Sequence, residues 1–360
     1  LIDTFSTGAY SPYYGLTATQ TALYGVTSYG NSKNDACGSV FQLVRHGHHW
    51  RATTLHAFSC GNGGGEPNPV VVDPATGDVW GSTNSGSYGT VFRLSPPQVG
   101  GAWVFDTIYQ FQGGADGNLN SAATPLLLQG GSACGVASAT DGGNGVEYYS
   151  LSYSGSAWQK TVLATIANGT ADALVGFDAA GAAYISTYEP GGVGDVYQLA
   201  PAHGGGWTAT DIAHFKPGHS ESGIYNLVLD SSGNVFGLAN RGVRSVVFEL
   251  APPSGGGSKW TKSFIADPAQ RGYGLTSLAL GLGGNLVGSI YGDQDAFGGA
   301  AIKLSPPGNG GGAWTSTVLW DFSRRGPDTN PVSINVGPYG AYYGVLNNTY
   351  DNGAVFELKP

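Results

Sequence analysis

Six of the fifteen basic residues fall in irregular stretches between positions 216 and 325: Lys216, Arg241, Arg244, Arg271, Arg324 and Arg325. Each stands in a stretch that departs from its neighbours in composition. Arginine holds a carboxylate or sulfate bidentately, so the group reads as a binding sector for an anion. His219, Tyr225 and Tyr273 lie among them and can move a proton. Neutralising a uronate carboxylate makes the C5 proton removable, so Arg plus His or Tyr is the equipment for β-elimination. The catalytic candidates are His219, Tyr225, Arg271 and Tyr273. Lys216, Arg241, Arg244, Tyr188, Tyr291, Arg324 and Arg325 are candidates for holding substrate. The competing reading pairs these cations with nearby acids such as Glu221, Asp267, Asp293, Asp295 and Asp328, as surface ion pairs of small consequence.

Carboxylates offer a rival chemistry. Asp141, Glu147, Glu189, Asp195, Glu221, Asp293, Asp295 and Asp351 lie in or beside irregular stretches. Two of them facing each other across a sugar would make a glycoside hydrolase. No residue set has metal-ligand spacing. Asp293-x-Asp295 could hold Ca²⁺, but the rest of an EF-hand loop is missing, so no cofactor is expected.

The composition constrains what elements can position these groups. Glycine accounts for 61 of 360 residues without a G-X-Y period, and 41% of the chain is hydrophobic, so neither collagen nor disorder fits. Glycine at this level among many Tyr, Thr, Ser and Val means short strands joined by tight turns. The formal charge of −9 argues against a nucleic-acid partner. No run of 18 apolar residues spans a membrane. The absence of Met, with Leu at position 1, suggests that a signal peptide, or a tag, was removed, and a secreted or periplasmic protein is expected.

The strands repeat. Trp50, Trp103, Trp158, Trp207, Trp260 and Trp314 are separated by 53, 55, 49, 53 and 54 residues, and each opens a short alternating run. Between them recurs a unit such as Val79–Pro97 (VWGSTNSGSYGTVFRLSPP): an aromatic-Gly strand, a turn, a V-F-x-L strand and a Pro stop. An apolar stretch precedes each unit. Four strands at a period of about 50 residues read as one blade of a β-propeller. LIDTF at the N-terminus looks like the end of a Trp-type strand, and AVFELKP at the C-terminus is the third strand of a unit. The N-terminal strand is therefore expected to complete the last blade. The expected fold is all-β, a seven-bladed propeller of four antiparallel strands per blade, forming a single domain over 1–360.

The segments VFDTIYQFQGGADG, DSSGNVFGLA and YGTVFRLSPP resemble the GloVer tandem repeat of bacterial extracellular proteins. The resemblance covers nearly the whole chain. It implies a propeller scaffold and brings no catalytic residues. Propeller polysaccharide lyases are a further analogy, at the level of architecture alone.

In a propeller, the loops between strands two and three and those after strand four share one face. The irregular stretches fall there: 59–68, 112–124, 216–223, 267–274 and 323–330 of one kind, and 29–38, 139–146, 187–195, 240–245 and 290–299 of the other. The chain repeats structural residues and not a sugar site, which favours one asymmetric central site. His46, His48, His49 and His203 fall in turns of the opposite face and read as solvated. His56 reads as a packed scaffold residue and His214 as lying near a rim. Cys37 and Cys60 reach the same face, so a Cys37–Cys60 disulfide is expected, with Cys134 a buried thiol. The function that follows is a secreted, monomeric enzyme acting on an acidic, uronate-containing glycan, a polysaccharide lyase first. A glycoside hydrolase and a non-catalytic glycan-binding propeller are the alternatives.

Overall fold

The computed structural model describes residues 3–4, 9–12, 14–30, 36–47, 49–59, 65–84, 88–98, 101–119, 124–139, 144–189, 191–216, 222–241, 244–254, 258–268, 274–292, 299–308, 313–322, 330–337, 340–347 and 353–359. They form seven antiparallel sheets in chain order, each built on a four-strand path, and almost no helix. The fold is a seven-bladed β-propeller.

Two compact units make up the chain. The first holds residues 1–171 and 351–355, the second 172–350 and 356–360. In the first unit lie blade one (Ala9–Pro12, Ala22–Gly30, Ala36–His46, His49–Ser59), blade two (Val71–Val72, Val79–Thr83, Thr90–Ser95, Val104–Gln110) and blade three (Leu127–Gln129, Ser132–Ser138, Val146–Tyr153, Trp158–Ile166). A short fifth strand, Thr17–Ala18, also pairs within blade one. The second unit carries blade four (Thr170–Val175, Ala183–Glu189, Val193–Pro201, Trp207–Phe215), apart from the first two residues of its opening strand. Blade five follows (Ser222–Leu229, Val235–Arg241, Arg244–Ala251, Thr261–Ala266), then blade six (Gly274–Leu280, Leu286–Tyr291, Ala300–Ser305, Thr315–Asp321). Blade seven runs Asn330–Val336, Tyr342–Asn347, Ala354–Leu358 and then the N-terminal strand Asp3–Thr4. Asp3 pairs with Val355 and Thr4 with Ala354, so the expected closure is present.

The repeated residues have packing roles. In the aromatic-Gly strand, a Cβ added at Gly81 would lie 2.5 Å from Phe92, and one at Gly237 would lie 2.4 Å from Phe248. Glycine is required so that the Phe of the neighbouring V-F strand can lie across it. The aromatic beside that glycine takes the next blade's Trp edge-on. Trp80 meets Trp158 at 5.4 Å in the first unit, and Tyr184 meets Trp260 at 5.8 Å in the second. Around these contacts the V-F-x-L strands are buried outright: Phe92, Leu94, Phe248 and Leu250 are all 0% exposed.

Strands three and four share a further feature. Six of the blades show a register shift between them, for example between Thr107 and Tyr109 and between Val196 and Tyr197. Such a bulge adds one residue to a strand and changes which side chains share a face.

Two stretches expected as irregular loops are regular. Ala183–Glu189 and Val193–Pro201 pair through to Glu189↔Val193, and Val235–Arg241 and Arg244–Ala251 pair through to Arg241↔Arg244. The 187–195 and 240–245 stretches are thus mainly strand.

Candidate functional site

The residues singled out by sequence divide sharply. His219, Arg271, Tyr273, Arg324, Arg325 and Cys60 lie outside the described residues, as do Asp141, Glu221, Asp293, Asp295, Asp328 and Asp351. Lys216 directly follows the last strand of blade four and is exposed. Tyr188 is 43% exposed near the end of Ala183–Glu189. Tyr291 ends the second strand of blade six, paired with Gly274. Arg241 and Arg244 are directly opposed across the hairpin of blade five.

Tyr225 is on the first strand of blade five, and its hydroxyl is engaged. It donates to the Leu275 carbonyl at 2.9 Å and lies 2.5 Å from the Ser245 hydroxyl. Asn226 beside it has φ +56°, a left-handed conformation that Asn tolerates, and accepts from the Leu278 N–H at 2.8 Å. The two residues tie blade five to the first strand of blade six. Burial is the main cause that raises the Tyr225 phenol, and the charge of Asp172 raises it further, against the lowering effect of Ser245.

Asp172 was not singled out by the sequence reading. It lies in Thr170–Val175, the first strand of blade four, between buried Ala171 and partly buried Ala173. Among the described residues it is the one charged side chain on any of the seven first strands. Its side chain keeps open surface. Burial nevertheless pushes its carboxyl up to about 6. A carboxyl titrating close to neutral can both give and take a proton. The signal was present in the sequence as a lone acid inside an apolar innermost strand, T-A-D-A-L-V.

A second group of ionisable residues lies on the outer strands of blade four. Asp195, Asp211 and His214 each present a donor atom within 4.8 Å of the others. Asp195 is buried, its side chain 7% exposed, and its Oδ1 pairs with Nδ1 of His214, which is 41% exposed. Burial and then the charge of Asp195 raise the Asp211 carboxyl, while His214 lowers it. Tyr197 is pushed up to about 12 by burial and by Asp195, Asp211 and Glu189. His214 was expected only as a rim residue, and Asp211 was not considered.

Several other described ionisable groups have structural partners. His56 stacks on Phe105 at 3.9 Å, and burial lowers its pKa. His46 and His49 face each other at the turn between strands three and four of blade one, and His203 is in a turn, as expected. In blade three, Lys160 bonds to Glu147 at 2.8 Å and crosses the ring of Phe111 at 5.1 Å. Cys134 is a free, buried thiol, raised by that burial.

A cleft of about 800 Å³ lies between blades four and five, lined by Tyr184, Trp260, Asp178, Asp230 and Gln198 among others. Several of its polar groups are turned on one another, and Asp211 also lines it. Tyr184 donates to Asp178 at 2.7 Å, Gln198 donates to Tyr184 at 3.1 Å, and Asp230 accepts from Asn234. Groups spent on the scaffold are not convergent on a ligand, so this cleft ranks below the Asp172 strand.

No protein-family model and no curated protein matches the sequence. Solved structures match by fold. A 6-phosphogluconolactonase candidate from Bacteroides uniformis is 12% identical with a TM-score of 0.59, covering 95% of each chain. The periplasmic gluconolactonase of Pseudomonas aeruginosa is 15% identical with a TM-score of 0.55, over 87% of this chain and 84% of the other. The β-propeller domain of the trilobed protease from Pyrococcus furiosus is 7% identical with a TM-score of 0.56, over 98% and 96%. At such identities the likeness establishes the propeller fold. Among the described residues, no helix is long and apolar enough to cross a membrane.

Proposed function

We propose that this protein is a secreted or periplasmic, monomeric carbohydrate-active enzyme that cleaves a C–O bond by acid–base catalysis, with Asp172 moving the proton. One observation carries the reading: the one charged side chain on the described first strands is a solvent-reached carboxyl that burial raises to about 6. Protonated, Asp172 would donate to the departing oxygen; ionised, it would accept a proton from the attacking water. Hydrolysis of a glycoside or a sugar lactone uses this chemistry. Two of the similar solved propellers carry gluconolactonase names, which is compatible with it.

Elimination from an acidic glycan is the second reading, and a different observation favours it. Arg241 and Arg244 are directly opposed Cα partners. Like charges at directly opposed positions disfavour a strand pair, and an anion bound there offsets the cost. A uronate carboxylate is such an anion. His219, Arg271 and Tyr273 would then supply the proton transfer, with Lys216, Tyr188, Tyr291, Arg324 and Arg325 lining the substrate.

The test is turnover on a panel of uronate polysaccharides and aldonolactones, followed by new reducing ends, acid release and the ultraviolet absorbance of unsaturated uronate. Hydrolysis without that absorbance is expected. Asp172→Asn should lower it by roughly 100-fold or more. Full activity in Asp172→Asn, or no turnover anywhere on the panel, would overturn the assignment. Absorbance that disappears in Arg244→Ala would transfer it to the second reading.

A further inference from the structure

The position where strands two and three end together carries paired hydroxyls in blades one and two. Thr27 and Ser39 are cross-strand partners with their hydroxyls 2.9 Å apart, and Thr83 and Thr90 are the same at 2.8 Å. In blade four the hydroxyl at this position faces a carboxylate. Thr187 is opposed by Asp195, whose carboxylate turns to His214. The Thr187 hydroxyl is left with no hydrogen-bond partner although the residue is 1% exposed. A buried hydroxyl without a partner costs on the order of 1–3 kcal/mol, so it calls for an explanation.

The bulge supplies the rest of the geometry. Asp195 pairs with His214 and Tyr197 with Asp211, with the register shift between Val196 and Tyr197. Residues 211 and 214 would face opposite ways in a regular strand. The extra residue puts Asp211 on the same face as Asp195, His214 and Thr187. One imidazole nitrogen and two carboxylate oxygens thus converge within 4.8 Å, and the orphan hydroxyl belongs to the cross-strand partner of Asp195. Among the described residues, the positively chargeable group paired with either carboxylate is His214. Lys262 donates to the His214 carbonyl at 3.2 Å and lies over Phe215 at 4.0 Å. Two carboxylates and one imidazole thus share this face.

We propose that Asp195, Asp211 and His214 bind one divalent transition-metal ion of the zinc type, with Thr187 bonding to its inner sphere. Zinc accepts three mixed nitrogen and oxygen ligands and leaves a fourth position for water. Ca²⁺ and Mg²⁺ prefer all-oxygen sets, so the imidazole selects against them.

The experiment titrates the metal-stripped full chain with ZnCl₂, CaCl₂ or MgCl₂ by calorimetry, with a thermal shift in parallel. One equivalent of Zn²⁺ should bind and raise the melting temperature, and affinity should fall on acidification as protons compete for His214. Asp211→Asn and His214→Ala alter exposed side chains and should leave the circular dichroism unchanged. Each should weaken Zn²⁺ by more than the roughly 100-fold that loss of an outer-shell partner can cost. Thr187→Val should weaken binding while leaving the metal-free protein at least as stable. Equal Zn²⁺ binding in His214→Ala would assign the ion to the exposed histidines at 46 and 49 and overturn the proposal. So would tighter binding of Ca²⁺ than of Zn²⁺, or no binding at all. Asp172→Asn should bind Zn²⁺ as the parent does, which keeps this outcome separate from the catalytic reading.

Discussion

A single carboxyl illustrates what individual residues reveal here. Asp172 sits where the repeat otherwise places uncharged side chains, and its carboxyl is raised by burial to about 6 from a usual value of 3.8. Between those values the folded chain keeps a proton that the unfolded chain has released. Stability from this group therefore falls as pH rises through about 4 to 6 and is level above that window. Asp172→Asn removes the effect. The variant should gain in urea midpoint relative to the parent on going from pH 4 to pH 7, while losing turnover. A midpoint difference that is the same at both pH values would show that the carboxyl is not perturbed. Gain of stability with loss of activity is the signature of a group retained for chemistry. Tyr225 points the other way: its hydroxyl is spent on Leu275 and Ser245, so it ties two blades together. Residue type and neighbourhood had made it a proton-transfer candidate, but its hydrogen-bond partners are long-range and left no local mark in the sequence.

Elements were more legible than residues. The aromatic-Gly and V-F-x-L strands, the Trp strand and the Pro stops could all be read because each repeats, and repetition averages out local exceptions. The glycine has a steric cause that makes a sharp prediction. At Gly81 a methyl group would enter the ring of Phe92, in a position with no solvent to yield into. Gly81→Ala should destabilise the protein by about 1–3 kcal/mol, read as a lowered urea midpoint at unchanged slope. Gly308, exposed, with nothing within 4 Å of an added Cβ and no left-handed φ, has no such clash and serves as the contrast. Bulges were not legible. A strand read at period two places Asp211 and His214 on opposite faces, and only the register shift at Val196/Tyr197 brings them together. The 187–195 and 240–245 stretches were misread for a related reason. Departure from the repeat consensus was taken as departure from strand, whereas the ladder continued beneath changed side chains.

At the scale of the whole molecule, closure is the feature that both sequence and structure express. The chain ends on a third strand, Ala354–Leu358, which needs a fourth, and Asp3–Thr4 supplies it by pairing with Val355 and Ala354. The pairing is short, and its contribution lies in covering an edge. An uncovered strand of alternating apolar residues, A-V-F-E-L, offers free N–H and C=O groups to another chain. Removal of residues 1–8 should leave the other six blades with their own sheets and cores, so circular dichroism should still report β structure. The melting temperature should fall, and light scattering should show self-association that the full chain lacks. The physical argument separates the two effects. Lost hydrogen bonds lower stability at any protein concentration, whereas the exposed edge acts through a second chain and grows with concentration. A truncated protein that melts lower but stays monomeric across a wide concentration range would mean that the terminal strand stabilises without protecting. One that is indistinguishable from the full chain would remove the closing strand from the account of this fold.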